Sequence, residues 1–87
     1  MTPEALASLH RAAFTVPRPW RAEEFAGFLA DPHCDLIPHD HGFALIRTLA
    51  GEAELLTIAV DPAHRRKGIA RGLMGAALDR AAARGAE

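Results

Sequence analysis

Apolar residues recur at two spacings along the chain. Leu6, Leu9, Ala13 and Phe14 fall at helical intervals behind Thr2-Pro3-Glu4, where Thr2 reads as an N-cap and Pro3 as the first helical residue. Pro17-Arg18-Pro19 predicts the end of that helix. A second helix is expected over 21–29, with Phe25, Phe28 and Leu29 on one face, broken by Asp31-Pro32. The pattern then changes. Cys34 to Ile37 reads as a short strand, 38–42 as a turn, and Phe43 to Leu49 as a second strand. Ala50-Gly51-Glu52 is a tight connection into Glu54 to Val60, whose branched apolar residues give the strongest strand signal. So short a loop predicts an antiparallel hairpin. Asp61-Pro62 ends the strand and Gly68 opens a last helix. Ile69, Leu73, Ala77 and Ala81 form its apolar stripe, with Leu78 adjacent and Gly85 as C-cap. The order helix, helix, strand, strand, strand, helix gives an α/β class, expected as a mixed sheet in a single domain over residues 1–87.

At 87 residues one small domain is the limit. An apolar fraction of 49% supports a packed core rather than disorder. Ten Lys and Arg against eleven Asp and Glu leave a formal net charge of -1, without global attraction for nucleic acid or an anionic membrane. The single Cys34 has no partner for an internal disulfide, which favours a reducing, cytoplasmic setting. Neither a signal peptide nor a run of roughly 20 apolar residues is visible.

Candidate chemistry concentrates in Ile58 to Leu73. A strand runs into a basic loop, and the loop runs straight into a helix entrance. The first turn of a helix offers amide N–H groups without internal partners, and its dipole favours an anion there. Gly68 and Ala70 keep the backbone accessible, while Arg65, Arg66, Lys67 and Arg71 bring positive charge. A Walker A loop is excluded because Gly-x4-Gly-Lys-[Ser/Thr] is missing. The spacing of Gly68, Gly72 and Gly75 excludes a Rossmann fingerprint.

Arg65-x-x-Gly68-x-Ala70, preceded by Ile58-Ala59-Val60-Asp61-Pro62, resembles the acetyl-CoA-binding motif of the GNAT superfamily of N-acetyltransferases. Pro19-Trp20, Glu54 to Pro62 and Arg65 to Leu73 look most like its ribosomal-protein alanine acetyltransferase branch. The resemblance implies a truncated GNAT fold, order α-α-β-β-β-α with antiparallel strands. It implies acetyl-CoA as co-substrate, no metal, and an amine or protein N-terminus as acceptor. Residues Arg65, Arg66, Lys67, Gly68, Ile69, Ala70 and Arg71 would wrap the pyrophosphate, and Ile58, Ala59 and Val60 would pair with the pantetheine arm. By the same resemblance Glu54 is a candidate general base and the Val60 N–H a candidate oxyanion donor. From the residues alone Glu54 reads first as a solvent-facing strand carboxylate. The leaving-group acid of the family is commonly a tyrosine beyond this last helix, and the sequence contains no Tyr. Against the family the chain lacks an opening strand and everything after Glu87. The edge of the Glu54–Val60 strand is therefore expected to be open and covered by a partner, most simply a second copy. The alternative to an enzyme is a non-catalytic CoA-binding module that self-associates.

Other residues carry weaker signals. His33, Cys34, Asp35, His39, Asp40 and His41 cluster in sequence, but their spacing fits no metal motif and reads as a polar loop. Trp20 reads either as an acceptor-groove residue or as an anchor between the first two helices. The run His64-Arg65-Arg66-Lys67 is too short for a nucleic-acid patch, and Cys34 has no organised base.

Overall fold

The computed structural model describes residues 1–13 and 20–86. Helix α1 spans Pro3–Ala13 and α2 spans Ala22–Ala30. Strands β1 (Cys34–His39), β2 (Gly42–Leu49) and β3 (Glu52–Val60) follow, then a single 3-10 turn at Pro62–His64 and helix α3 (Ile69–Ala83). The strands are antiparallel throughout in the order β1-β2-β3, so among the described residues the sheet is not mixed. The expected element order is present. Phe14 and Pro17-Arg18-Pro19, expected to complete and end the first helix, lie outside the described residues.

The helix ends form for local reasons. Thr2 caps α1: its hydroxyl oxygen accepts the Ala5 N–H at 3.1 Å, and its carbonyl accepts the Leu6 N–H at 3.0 Å. At α2, Glu24 reaches back to accept the Arg21 N–H at 3.1 Å. Helix α3 ends in a Schellman arrangement: Gly85 stands at φ +91°, its N–H reaches the Ala82 carbonyl, and the Ala86 N–H reaches the Ala81 carbonyl, both at 3.0 Å.

Two strand boundaries differ from expectation. Strand β1 continues through Pro38 and His39, and Gly42 begins β2 instead of closing a turn, which leaves Asp40-His41 as the two-residue loop. Strand β3 begins at Glu52, because Ala50 and Gly51 alone make the second loop, both at positive φ (+53° and +80°). This loop matches the twist of the flanking strands, at a cost of about 1–2 kcal/mol for the non-glycine Ala50. Within β3 the register slips between Leu45 and Ile46 of β2, making Leu56 the extra residue of a bulge.

The sheet is covered on both faces. One face packs Phe43, Leu45 and Ala59 against Leu6, Ala7 and Phe25 of α1 and α2. Phe25 and Phe43 meet edge to face at 5.6 Å, and Trp20 lies 5.0 Å from Phe28 and 5.5 Å from Phe25. Trp20 thus serves as a hydrophobic anchor on α2. On the other face Ile46 meets Ala77 and Ala81, small residues that bring α3 close to the sheet. Asp35, buried on that face, accepts two hydrogen bonds from the Arg84 guanidinium (2.9 and 3.0 Å), and Arg80 lies 3.3 Å away. The carboxylate that sequence placed in a polar cluster therefore fixes the C-terminal end of α3 to β1. No described helix is long and apolar enough to cross a membrane.

Candidate functional site

Strand β3 lies at the edge of the sheet, and its backbone alternates between facing β2 and facing outward. The Asp61 N–H donates to the His41 carbonyl at 2.8 Å, so Asp61 and, two residues back, Ala59 turn their amides toward β2. The intervening Val60 and Ile58 turn theirs outward, to the open edge. Chain direction then changes sharply. Asp61 caps the 3-10 turn by accepting the Ala63 N–H at 2.9 Å, and its carbonyl accepts the His64 N–H at 2.8 Å. Arg66 (φ +67°) and Gly68 (φ +75°) both adopt left-handed backbone, and α3 starts immediately after Gly68.

This local path leaves donors free. The first intrahelical bond of α3 runs from the Gly72 N–H to the Gly68 carbonyl at 3.1 Å. The amides of Ile69, Ala70 and Arg71 precede it and have no carbonyl one turn back to bond. Ile69, Ala70 and Arg71 themselves line a cleft of about 440 Å³, together with residues 58–60, 64–66 and 68 and with Ala13 at the end of α1. Arg65, Arg66 and Gly68 are exposed, and an Arg65 guanidinium N–H donates to the Ala13 carbonyl at 3.2 Å, tying the loop to α1. A Cβ built on Gly68 meets nothing within 4 Å, so glycine is required there by its φ and not by crowding within the protein.

The sequence-selected residues mostly converge on this cleft. Ile58, Ala59, Val60, Arg65, Arg66, Gly68, Ile69, Ala70 and Arg71 line it. Lys67 does not: its ammonium is turned to His64, donating to Nδ1 at 3.2 Å. Glu54 lies apart as well, six residues before Val60 and about 20 Å along the strand. Its side chain is exposed and accepts a hydrogen bond from Arg47 across the hairpin at 2.7 Å. His64 lines the cleft, although sequence reading took it only as part of a basic turn. Its ring stacks on His41, with centroids 3.6 Å apart and planes at 6°. Nothing in the spacing of positions 41 and 64 announced that contact.

A second unanticipated feature lies in the core between α1, α2 and the sheet. His10 is 3% exposed; its Nδ1 accepts the Trp20 N–H at 2.9 Å, and its Nε2 stands 3.0 Å from the Thr57 hydroxyl. Since Nδ1 accepts, the proton sits on Nε2 and is donated to Thr57. Burial pushes the His10 pKa below its ordinary value, opposed by the Glu24 charge. Cys34 is half-buried on β1, and burial, followed by the nearby Asp31, pushes its thiol up, away from a reactive thiolate.

An edge strand with outward amides, a cationic turn and an open helix entrance together define a protein suited to holding a polyanionic ligand with an extended arm. The comparisons give that class its family. The acetyltransferase (GNAT) family matches residues 4–87, and the chain belongs to that family. The crystal structure of the ribosomal-protein-S18-alanine N-acetyltransferase from Escherichia coli superposes with a TM-score of 0.78 at 26% sequence identity, covering 95% of this chain and 55% of that chain. The present chain therefore spans little more than half the length of that structure. No curated protein sequence matches it.

Proposed function

We propose that this chain is the acetyl-CoA-binding part of an N-acetyltransferase that moves an acetyl group to an amine, with a protein N-terminus as the favoured acceptor. The observation that carries the reading is that one cleft is lined both by Ile69, Ala70 and Arg71, whose amides precede the first bond of α3, and by Ile58 and Val60 of the open strand edge. A diphosphate accepts from several such amides at once, and Arg65, Arg66 and Arg71 offset its charge. An amide-bearing pantetheine arm extends that contact along the strand edge by adding hydrogen bonds to Ile58 and Val60.

In this reading acetyl-CoA supplies a thioester activated for attack by a neutral amine. The Val60 N–H donates to the carbonyl oxygen as negative charge builds there. Glu54, about 20 Å along the strand from Val60, is beyond the reach of one water, so the amine proton passes to solvent as the N–C bond forms. Collapse of the tetrahedral species then breaks the C–S bond, and CoA leaves as a thiolate that takes a proton from water. A cytoplasmic setting, a single incomplete domain and the absence of a metal belong to the same proposal.

One observation favours the second reading, a CoA-binding module without turnover. Arg47 holds Glu54 at 2.7 Å, and Glu54 does not line the cleft. Self-association belongs to this reading. The free edge of β3 adjoins an apolar groove of about 200 Å³ containing Leu55, Met74 and Leu78, which a second copy would cover.

Isothermal titration with acetyl-CoA tests the binding claim that both readings share. Wild type is expected to bind, and Gly68→Val to lose binding by at least roughly tenfold, because a branched residue resists φ +75° and stands where a phosphate must approach. A folded wild type that releases no heat at several temperatures defeats both. Binding with acetyl transfer to a peptide amine supports the enzyme; binding without transfer supports the module.

A further inference from the structure

We propose that Arg65 couples the cleft to helix α1: its guanidinium holds the last carbonyl of α1 and an anion in the cleft at the same time, so that acetyl-CoA binding steadies the end of α1. The inference rests on the acetyl-CoA reading of the cleft. It gives Arg65 a part that the other arginines of the site do not share.

Helix α1 ends at Ala13, and the Ala13 carbonyl accepts an N–H of the Arg65 guanidinium at 3.2 Å, across 52 residues of sequence. Both residues line the cleft. The end of α1 is thus a third wall, beside strand β3 and the loop that follows it. One turn earlier, His10 fixes the same helix to β3 by donating to the Thr57 hydroxyl at 3.0 Å. That bond is buried, whereas the Arg65 bond is exposed and joins two parts of the cleft wall.

The charges give the Arg65 bond a purpose. Carbonyls at a helix C-terminus carry roughly half a negative charge, and beside a polyanion they repel it. A guanidinium seated on Ala13 reverses the sign at that wall. It has five N–H groups in a planar fork, so one bond to Ala13 leaves others for a phosphate oxygen. Arg11 also stands in the last turn of α1, but it does not line the cleft and so meets the helix charge from elsewhere.

Hydrogen exchange read with and without saturating acetyl-CoA tests the coupling. In wild type the ligand is expected to slow the amides of residues 10–13 at least roughly threefold, because the end turn frays less once its carbonyl is held. In Arg65→Met, saturated at a higher ligand concentration, the slowing is lost. Arg66→Met removes a charge from the cleft and Arg11→Met one from the helix end; both leave the Ala13 bond and keep the slowing. Should Arg65→Met fail to fold, Arg65→Lys takes its place, since a compact ammonium does not fork between two acceptors. Unchanged exchange at 10–13 in liganded wild type, slowing that survives in the Arg65 variant, or slowing lost equally in Arg66→Met overturns the inference while the cleft reading stands. A wild type that takes up no acetyl-CoA overturns both.

Discussion

Gly42 stands directly opposite Val60, and a Cβ on Gly42 would come within 2.6 Å of the Ala59 carbonyl oxygen and 3.2 Å of the Val60 Cα. Both obstacles are backbone, so neither can swing aside. The glycine is needed here because β2 and β3 close tightly at the end that feeds the cleft. Gly42→Ala is expected to push the Ala59–Val60 segment outward and to cost about 1–3 kcal/mol, the usual range for overpacking. Because Val60 lines the cleft, the proposed acetyl-CoA binding is expected to weaken as well. Urea denaturation and calorimetry on the same sample check both effects. Unchanged stability with unchanged affinity would show that the strand ends are not tightly coupled.

Much of the fold was legible because local signals and long-range packing agree. Thr2-Pro3, Asp31-Pro32, Ala50-Gly51 and Gly68 punctuate the chain where the structure turns, and each acts through its own backbone preference. The cleft was legible for the same reason: strand, turn and helix entrance are contiguous in sequence. What stayed hidden depends on distant partners. Gly42 looked like a turn residue, yet its reason is a collision with β3. Asp35 looked like part of a polar cluster, yet its partner Arg84 is 49 residues away. His10 carried no local signal for a bond to Thr57, 47 residues on. Glu54 was expected as a base by resemblance alone, and only the hairpin register reveals that Arg47 faces it.

His10 gives the fold a dependence on mildly acidic pH. Its ring is buried among Trp20, Phe25 and Phe43, at 5.2, 5.4 and 6.3 Å, with Nδ1 committed as an acceptor. Protonating Nδ1 sets a donor against the Trp20 N–H and places a charge in an apolar site. Burial holds the folded pKa below the ordinary 6.5, so the unfolded chain binds the proton more readily. The stability contributed by neutral His10 is fully present above pH 6.5 and is lost as pH falls from there through the folded value. Urea midpoints measured from pH 8 to pH 5 should decline in that window. His10→Gln should be less stable at pH 8, having lost the ring packing, but with a flatter profile. An equally steep profile in His10→Gln would assign the decline to other groups.

Asp35 governs a separate, more acidic window. Burial alone would raise its pKa, but the hydrogen bonds from Arg84 and Arg80, with their charge, outweigh it and hold the carboxyl below 3.8. A depressed folded pKa means the native state keeps its carboxylate while the unfolded chain takes up a proton. The contribution is therefore present above pH 3.8 and is lost as pH falls through the folded value. Loss should begin at the C-terminal end of α3, because Arg84 is the C-cap residue and Asp35 is its anchor on β1. Hydrogen exchange at pH 5 should show Asp35→Asn with faster exchange at residues 80–86 than wild type, while the Phe25–Phe43 core keeps its protection. Asparagine keeps the shape and one acceptor oxygen but surrenders the charge, so packing loss is not the cause. If residues 80–86 exchange alike in the two proteins, the helix end is held by its Schellman bonds and the contact of Ala86 with Ile46, Ala77 and Ala81, and the Asp35 carboxylate is dispensable to it.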